Sequence, residues 1–242
     1  MKIGMNSHVG KVRKLNEDSC SKRNENGILL VTVADGMGGH NAGEIASDVA
    51  VKSIEDYIFL NDITNTSDAL KQAVMFANKS VFEKSDTDAG YIGMGTTTTT
   101  VLIYENKVYI ANVGDSRTYL LRNNRLKQIT KDHSYVQRLV DSGYLTKTEA
   151  RFHPRSNVIT RAIGTNDSVI VDLFTMDIMQ GDLYFLCSDG LTNHVDDKDI
   201  EDVLNMDFSP DEKITMMIDM ALNQGGNDNI TAIIVDDLGD KL

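Results

Sequence analysis

The sequence has no tryptophan, two prolines and two cysteines in 242 residues. So little proline leaves hardly any material for a stiff linker. The thiols, Cys20 and Cys187, are too few for a disulfide framework and have no metal-ligand spacing, so they read as reduced core residues. No apolar run approaches the roughly 20 residues that cross a bilayer, and Met1 to Gly10 lacks the apolar stretch of a signal peptide. The expectation is a cytoplasmic protein that does not enter a membrane. Positive charge is scarce as well: 24 Lys and Arg against 36 Asp and Glu give a net charge of -12. An acidic surface repels nucleic-acid backbones, which excludes nonspecific nucleic-acid binding. If such a chain handles phosphate, it needs cations. What is present is ordinary for a globular protein, with 41% hydrophobic and 25% charged residues. One domain over 1–242, as a monomer, is the simplest organisation.

Short apolar segments rich in β-branched residues predict strands at Ile28 to Ala34, Thr97 to Tyr104, Lys107 to Asn112, Leu183 to Cys187 and Ile230 to Val235. Glu105-Asn106 predicts a tight hairpin, and Arg122 to Arg125 a second turn between Thr118 to Leu121 and Leu126 to Ile129. These strands read as one antiparallel meander. Helical periodicity runs over Glu44 to Leu60, over a segment capped by Ser67 with the stripe Leu70, Ala73, Val74, Ala77 and Val81, and from Ser209-Pro210 to Asn223. Amphipathic helices interrupting antiparallel strands imply a layered α+β domain, strands inside and helices outside.

Aspartates stand where apolar strands end in turns: Asp35-Gly36, Gly114-Asp115, Asp189-Gly190 and Asn227-Asp228-Asn229. Any one of them, taken alone, is equally well turn chemistry. If strand ends bring them together, their mutual repulsion calls for a cation, and an all-oxygen donor set favours hard ions such as Mg²⁺ or Mn²⁺. A calcium module of the EF-hand kind would instead need its ligands within one short loop, whereas these are spread along the chain.

The local wording is more specific. Arg13-Lys14-Leu15-Asn16-Glu17-Asp18, Asp35-Gly36-Met37-Gly38-Gly39, Asn112-Val113-Gly114-Asp115-Ser116-Arg117, Cys187-Ser188-Asp189-Gly190-Leu191 and Gly226-Asn227-Asp228-Asn229-Ile230-Thr231 occur in that order. Together they resemble the bacterial branch of the metal-dependent protein phosphatases, the PP2C type, over about Val9 to Val235. The resemblance implies a four-layer αββα sandwich, two antiparallel sheets face to face and flanked by helices, with two or three Mn²⁺ or Mg²⁺ ions at one end. By similarity Asp35 bridges two ions with the Gly36 carbonyl as a further ligand. Asp189 and Asp228 complete one site, and Glu17 and Asp18 support the other directly or through water. Asp115 resembles the residue that shares a third ion with Asp189.

The implied reaction is hydrolysis of phosphoserine and phosphothreonine in proteins by metal-activated water, without a covalent phosphoenzyme. Arg13, which alone would pass for a surface residue, stands where the family has a phosphate-binding arginine. Animal relatives carry a histidine after the Asp-Gly pair where this chain has Met37. His40 is therefore one candidate acid for the leaving group, with loop orientation and a metal-bound water as the competing assignments. Segment 142–163 falls where relatives carry a variable flap beside the active site. His153-Pro154 and Arg161 resemble flap positions and read equally as packed loop, while His133 reads as structural. His8 replaces an Asp frequent in bacterial relatives. Phosphoproteins and a cognate serine/threonine kinase are the implied partners. The competing functions are an inactive, partner-binding member of the same fold and a phosphatase of small phosphate esters.

Overall fold

A computed structural model describes residues 1–38, 42–236 and 238. Strands β1 (Lys2–His8), β2 (Asp18–Glu25) and β3 (Ile28–Met37) precede two long helices, α1 (Ala42–Leu60) and α2 (Thr66–Ser85). A short β4 (Gly95–Thr96) leads into β5 (Thr98–Tyr104), β6 (Lys107–Val113), β7 (Arg117–Arg122) and β8 (Arg125–Gln128). Two short helices follow, α3 (Tyr135–Asp141) and α4 (Lys147–Arg151), then β9 (Asp172–Asp177) and β10 (Leu183–Cys187). The last described elements are the one-turn α5 (Asp189–Thr192), α6 (Asp197–Leu204), α7 (Pro210–Asn223) and β11 (Ile230–Asp236).

One sheet has the order β1-β11-β10-β7-β8 and the other β2-β3-β5-β6-β9, with β4 paired to the end of β3. Alternation along each central strand sends side chains to two different cores. Leu29, Val31 and Val33 of β3 meet Tyr184, Leu186, Ile233 and Val235 between the sheets. Leu30 and Leu102 turn outward beneath α1 and α2, against Ile54, Leu70 and Val74. On the opposite face Phe185 and Ile234 pack under α7, against Ile214, Met217 and Ile218. These three apolar layers make the αββα sandwich that the motifs imply.

Two details differ from expectation. The meander is divided: β5 and β6 pair in one sheet and β7 and β8 in the other, so the chain changes sheets at Gly114 to Ser116. Gly114 turns that corner at φ +107°, where a Cβ would lie 2.5 Å from Thr97. The second helix begins at Thr66 rather than after Ser67, with Asn65 at the cap and no side-chain capping bond. The Thr66 hydroxyl instead donates back to the Ile63 carbonyl at 3.1 Å. The last helix does start as read, with a reciprocal Ser209–Glu212 capping box and Pro210 in its first turn. Among the described residues, no helix is long and apolar enough to cross a membrane.

Candidate active site

The topology gathers the expected residues at one end of the sandwich. Asp18 and Asp35 are cross-strand partners on β2 and β3. Cys187, Ala232 and Arg117 are aligned across β10, β11 and β7, so Ser188-Asp189 and Asp228-Asn229 emerge beside the Gly114–Ser116 crossing.

Asp35 is the hub. Burial pushes its carboxyl well above the ordinary range, and Asp18, Asp189, Asp115 and Asp228 each push it further. Asp115 is raised in the same way, by burial first and then by Asp189 and Asp132. Asp18 is pushed up to about 7, burial outweighing the Thr231 and Ser188 hydroxyls that favour its charged form. Burial likewise raises Asp189, with Asp228 adding to it, and Glu17, where Arg13 opposes.

Two observations fit a cation here. Every side-chain donor is a carboxylate oxygen, the choice of hard divalent ions. Asp18 also keeps a buried Oδ1 with no hydrogen-bond partner, while its Oδ2 accepts from Ser188 at 2.8 Å. Among the described residues, no group of three or more His, Cys, Asp or Glu side chains is drawn together closely enough to hold a metal ion. Ions of this kind retain several waters and need only one or two protein carboxylates each, so a dispersed ring of acids suits them.

Polar side chains fix the acids from behind. Thr97 Oγ1 accepts from the Asp35 N–H at 3.0 Å and pairs with the Ser116 hydroxyl at 2.8 Å, tying the Asp35 strand to the Asp115 crossing. Asn229 donates to the carbonyls of Val9 and Leu15, both at 2.9 Å, and accepts from the Glu17 N–H at 2.8 Å. It thereby closes the loop carrying Arg13 and Glu17 onto β11. Asn193 donates to Asp189 Oδ2 at 3.0 Å, and Ser47 to the Glu17 carbonyl at 2.6 Å. His8 has its own local use, Nδ1 accepting from the Gly10 N–H at 2.9 Å.

Arg13 Nη2 donates to Asp228 Oδ2 at 2.9 Å, with the guanidinium side chain 49% exposed. An ion pair so open to water contributes at most about 1 kcal/mol, leaving the fork free to exchange Asp228 for a phosphate. His40 lies outside the described residues. His153 turns its ring to Tyr135, 6.0 Å between centroids, and its Nδ1 accepts from the Arg155 N–H. A cavity of about 510 Å³ is lined by Asp115 and Asp189 and also by Lys147, Arg151 and Phe152 of segment 142–163.

Close backbone approach explains the glycines. A Cβ on Gly190 would lie 2.0 Å from the Asn229 carbonyl oxygen, and one on Gly36 would lie 2.1 Å from that of Gly43. Gly190→Ala must therefore push α5 away from β11. We expect a loss of about 1–3 kcal/mol, read as a lower thermal midpoint, together with weaker Mn²⁺ binding. A wild-type midpoint would contradict this account of the contact.

Comparison with known proteins agrees with the geometry. Residues 5–168 match the family described as Protein phosphatase 2C. The chain is 40% identical over 232 residues to a serine/threonine phosphatase stp of Listeria welshimeri, covering 94% of this chain and 92% of the relative. It is 35% identical to protein phosphatase PhpP of Streptococcus pneumoniae, with 97% of each chain covered. Among solved structures, the serine/threonine phosphatase PstP/Ppp of Mycobacterium tuberculosis superposes with a TM-score of 0.90 at 36% identity, over 97% of both chains. Stp1 of Staphylococcus aureus gives 0.92 at 33% identity, over 99% of this chain and 96% of that one. A PstP catalytic domain solved with two manganese ions gives 0.88 at 36% identity, over 97% of both.

Proposed function

Because the chain belongs to the protein phosphatase 2C family, we propose that its ring of acids is the metal centre of the reaction that the fold carries. The protein is a metal-dependent serine/threonine protein phosphatase, and its substrates are phosphoproteins. The observation carrying the site assignment is the convergence of Asp18, Asp35, Asp115 and Asp189, each raised by burial and by its neighbours. Asp35 with the Gly36 carbonyl, Asp189, Asp228, Glu17 and Asp18 would hold two Mn²⁺ or Mg²⁺ ions, and Asp115 with Asp189 a third. When bound, the ions supply an activated water and offset the negative charge that builds at phosphorus.

The chain's own groups do the rest. Arg13 grips two phosphate oxygens with its planar fork and orients the ester for in-line attack. Asn229 keeps that loop in place, and Thr97 holds Asp35 and Asp115 in register. His40 is the side chain we propose as proton donor to the leaving seryl or threonyl oxygen. Segment 142–163, which contributes to the cavity that Asp115 also lines, is the flap against which the protein flanking the phosphoresidue would rest. The proposal includes a monomer in the cytoplasm that opposes a serine/threonine kinase and does not enter a membrane; the net charge of -12 supports only the further expectation that it does not bind nucleic acid.

The test is release of phosphate from a phosphothreonine peptide. Turnover should require Mn²⁺ or Mg²⁺ and stop with a chelator. Arg13→Ala should lower kcat/KM about 10- to 100-fold, mainly through KM, the size expected for charge-assisted hydrogen bonds. Metal-independent turnover, or an Arg13→Ala enzyme with unchanged KM, would refute the assignment.

A further inference from the structure

His133 lies outside the ring of acids but grips the turn that carries one of them. The residue is buried, with 8% exposure, between the Gly114–Asp115 turn and residues 159–161 near the end of segment 142–163. The Gly114 N–H donates to His133 Nδ1 at 3.0 Å, and the His133 N–H donates back to the Gly114 carbonyl at 2.9 Å. On its other side, the His133 carbonyl accepts from the Thr160 N–H at 2.7 Å, and the neighbouring residues Ser134 and Ile159 form a β-bridge. One residue thus touches both the crossing that carries Asp115 and the chain that leads out of the cavity wall.

The proton positions follow from the partners. Nδ1 must present a lone pair to the Gly114 N–H, so a neutral ring carries its hydrogen on Nε2. That nitrogen faces Asp172 Oδ2 at 3.1 Å, a suitable acceptor. Arg161 Nη1 also comes within 2.9 Å of Nε2, yet a guanidinium has no lone pair to give and Nε2–H none to spare. The arginine and the imidazole are therefore side by side as two donors to one carboxylate, Arg161 reaching Asp172 Oδ1 at 2.6 Å and the Ile170 carbonyl at 3.1 Å. Burial, which disfavours the imidazolium, agrees with a neutral ring. Asp172 on β9 fixes the tautomer, and the tautomer fixes the Gly114 peptide.

We propose that His133 is a positioning residue for Asp115: through the Gly114 peptide it sets the carboxylate that faces Asp189. The proposal rests on the reading that Asp115 and Asp189 share an ion. Asp172 and Arg161 serve the same positioning by holding the ring.

Two replacements separate the bonds of the ring. In His133→Asn the amide oxygen is as many bonds from the backbone as Nδ1 and can still accept from Gly114. In His133→Gln the amide nitrogen reaches where Nε2 was and can donate to Asp172, but the Gly114 N–H loses its acceptor. Mn²⁺ binding to the full chain is followed by calorimetry, with thermal melts and with KM and kcat measured separately. We expect His133→Gln to weaken the lowest-affinity Mn²⁺ about tenfold or more, the effect of leaving a buried N–H unpaired, while the tighter ions stay within about twofold. His133→Asn should bind all ions as wild type does, although both variants melt lower. Equal effects of the two replacements on the weakest ion, or none from either, would overturn the inference and leave His133 as a stitch in the fold. Should His133→Gln fail to fold, Asp172→Ala makes the same test by releasing the tautomer, and unchanged Mn²⁺ binding there overturns the inference. Asp115→Asn is the control. If it removes the weakest ion while His133→Gln does not, only the role of His133 falls; if it leaves every ion bound, the reading of Asp115 as a ligand falls and the inference with it.

Discussion

Asp189→Asn should lower kcat on a phosphothreonine peptide by about 10²–10³-fold while leaving the fold intact, because it removes charge and almost no volume. Asp189 is the first residue of α5, one residue beyond the end of β10, and its Oδ2 already accepts from Asn193 at 3.0 Å. An asparagine there can keep that contact through its amide oxygen. What it cannot keep is the negative charge, which the Asp35 and Asp115 environments both feel. In the presence of chelator the variant should melt at or above the wild-type temperature, since one of several mutually repelling buried carboxylates has been neutralised. In Mn²⁺ the order should reverse, because the wild type gains ligand-binding stabilisation that the variant lacks. Turnover within about tenfold of wild type would sink the assignment of Asp189. A variant that melts far below wild type even in chelator would mean that Asp189 is a fold residue, and that the lost activity says nothing about metal.

The reasons some elements were legible and others were not are physical. Strands β3, β5, β6, β10 and β11 are buried on both faces, so they appear in the sequence as continuous apolar runs. Strands β1, β2 and β9 are sheet edges, and segments such as Asp18–Glu25 alternate polar residues with little apolar content. Their pairing comes from neighbours, so composition does not reveal them. The change of sheets at Gly114 was equally hidden, since hairpins alone suggest a continuous meander. At the site, acids beside glycines at strand ends carry their own signal. The residues that hold them do not: Asn229 has the look of turn chemistry, yet its partners Val9, Leu15 and Glu17 are more than 200 residues away. Thr97 is indistinguishable from the other β-branched residues of its threonine run until Ser116 is found opposite it. Order along the chain indicates the acids, and three-dimensional contact is needed to find what sets them.

Metal-free protein should lose stability as pH rises from about 6.5 to 8, contrary to the usual behaviour of acidic groups engaged in salt bridges. Asp18 shifts from an ordinary 3.8 to about 7 in the folded chain, and Asp35, Asp115 and Asp189 shift in the same direction. A folded value above the unfolded one means that the folded state holds the proton more tightly. The stabilisation is complete below the unfolded value and disappears as pH rises through the folded one. Two opposing effects decide where to measure. Glu149 and Glu212, lowered by their capping hydrogen bonds, contribute stability that is present above about 4.5 and lost below it. His133, lowered by burial, makes stability rise with pH up to its unfolded value of 6.5. Above about pH 6.5 the carboxylate effect is spent and that of the single histidine fades over the next pH unit, so the several clustered aspartates dominate. Mn²⁺ takes the place of the protons, so its binding should release protons and tighten as pH rises. Melting curves in chelator and in Mn²⁺ should therefore diverge progressively across the window, and the calorimetric heat of Mn²⁺ binding should vary with the ionisation enthalpy of the buffer. A chelated midpoint that is flat or rising over the same window would show that the carboxylates are ionised and separately solvated in the metal-free chain, and the ring of acids would then not be a charge cluster awaiting a cation.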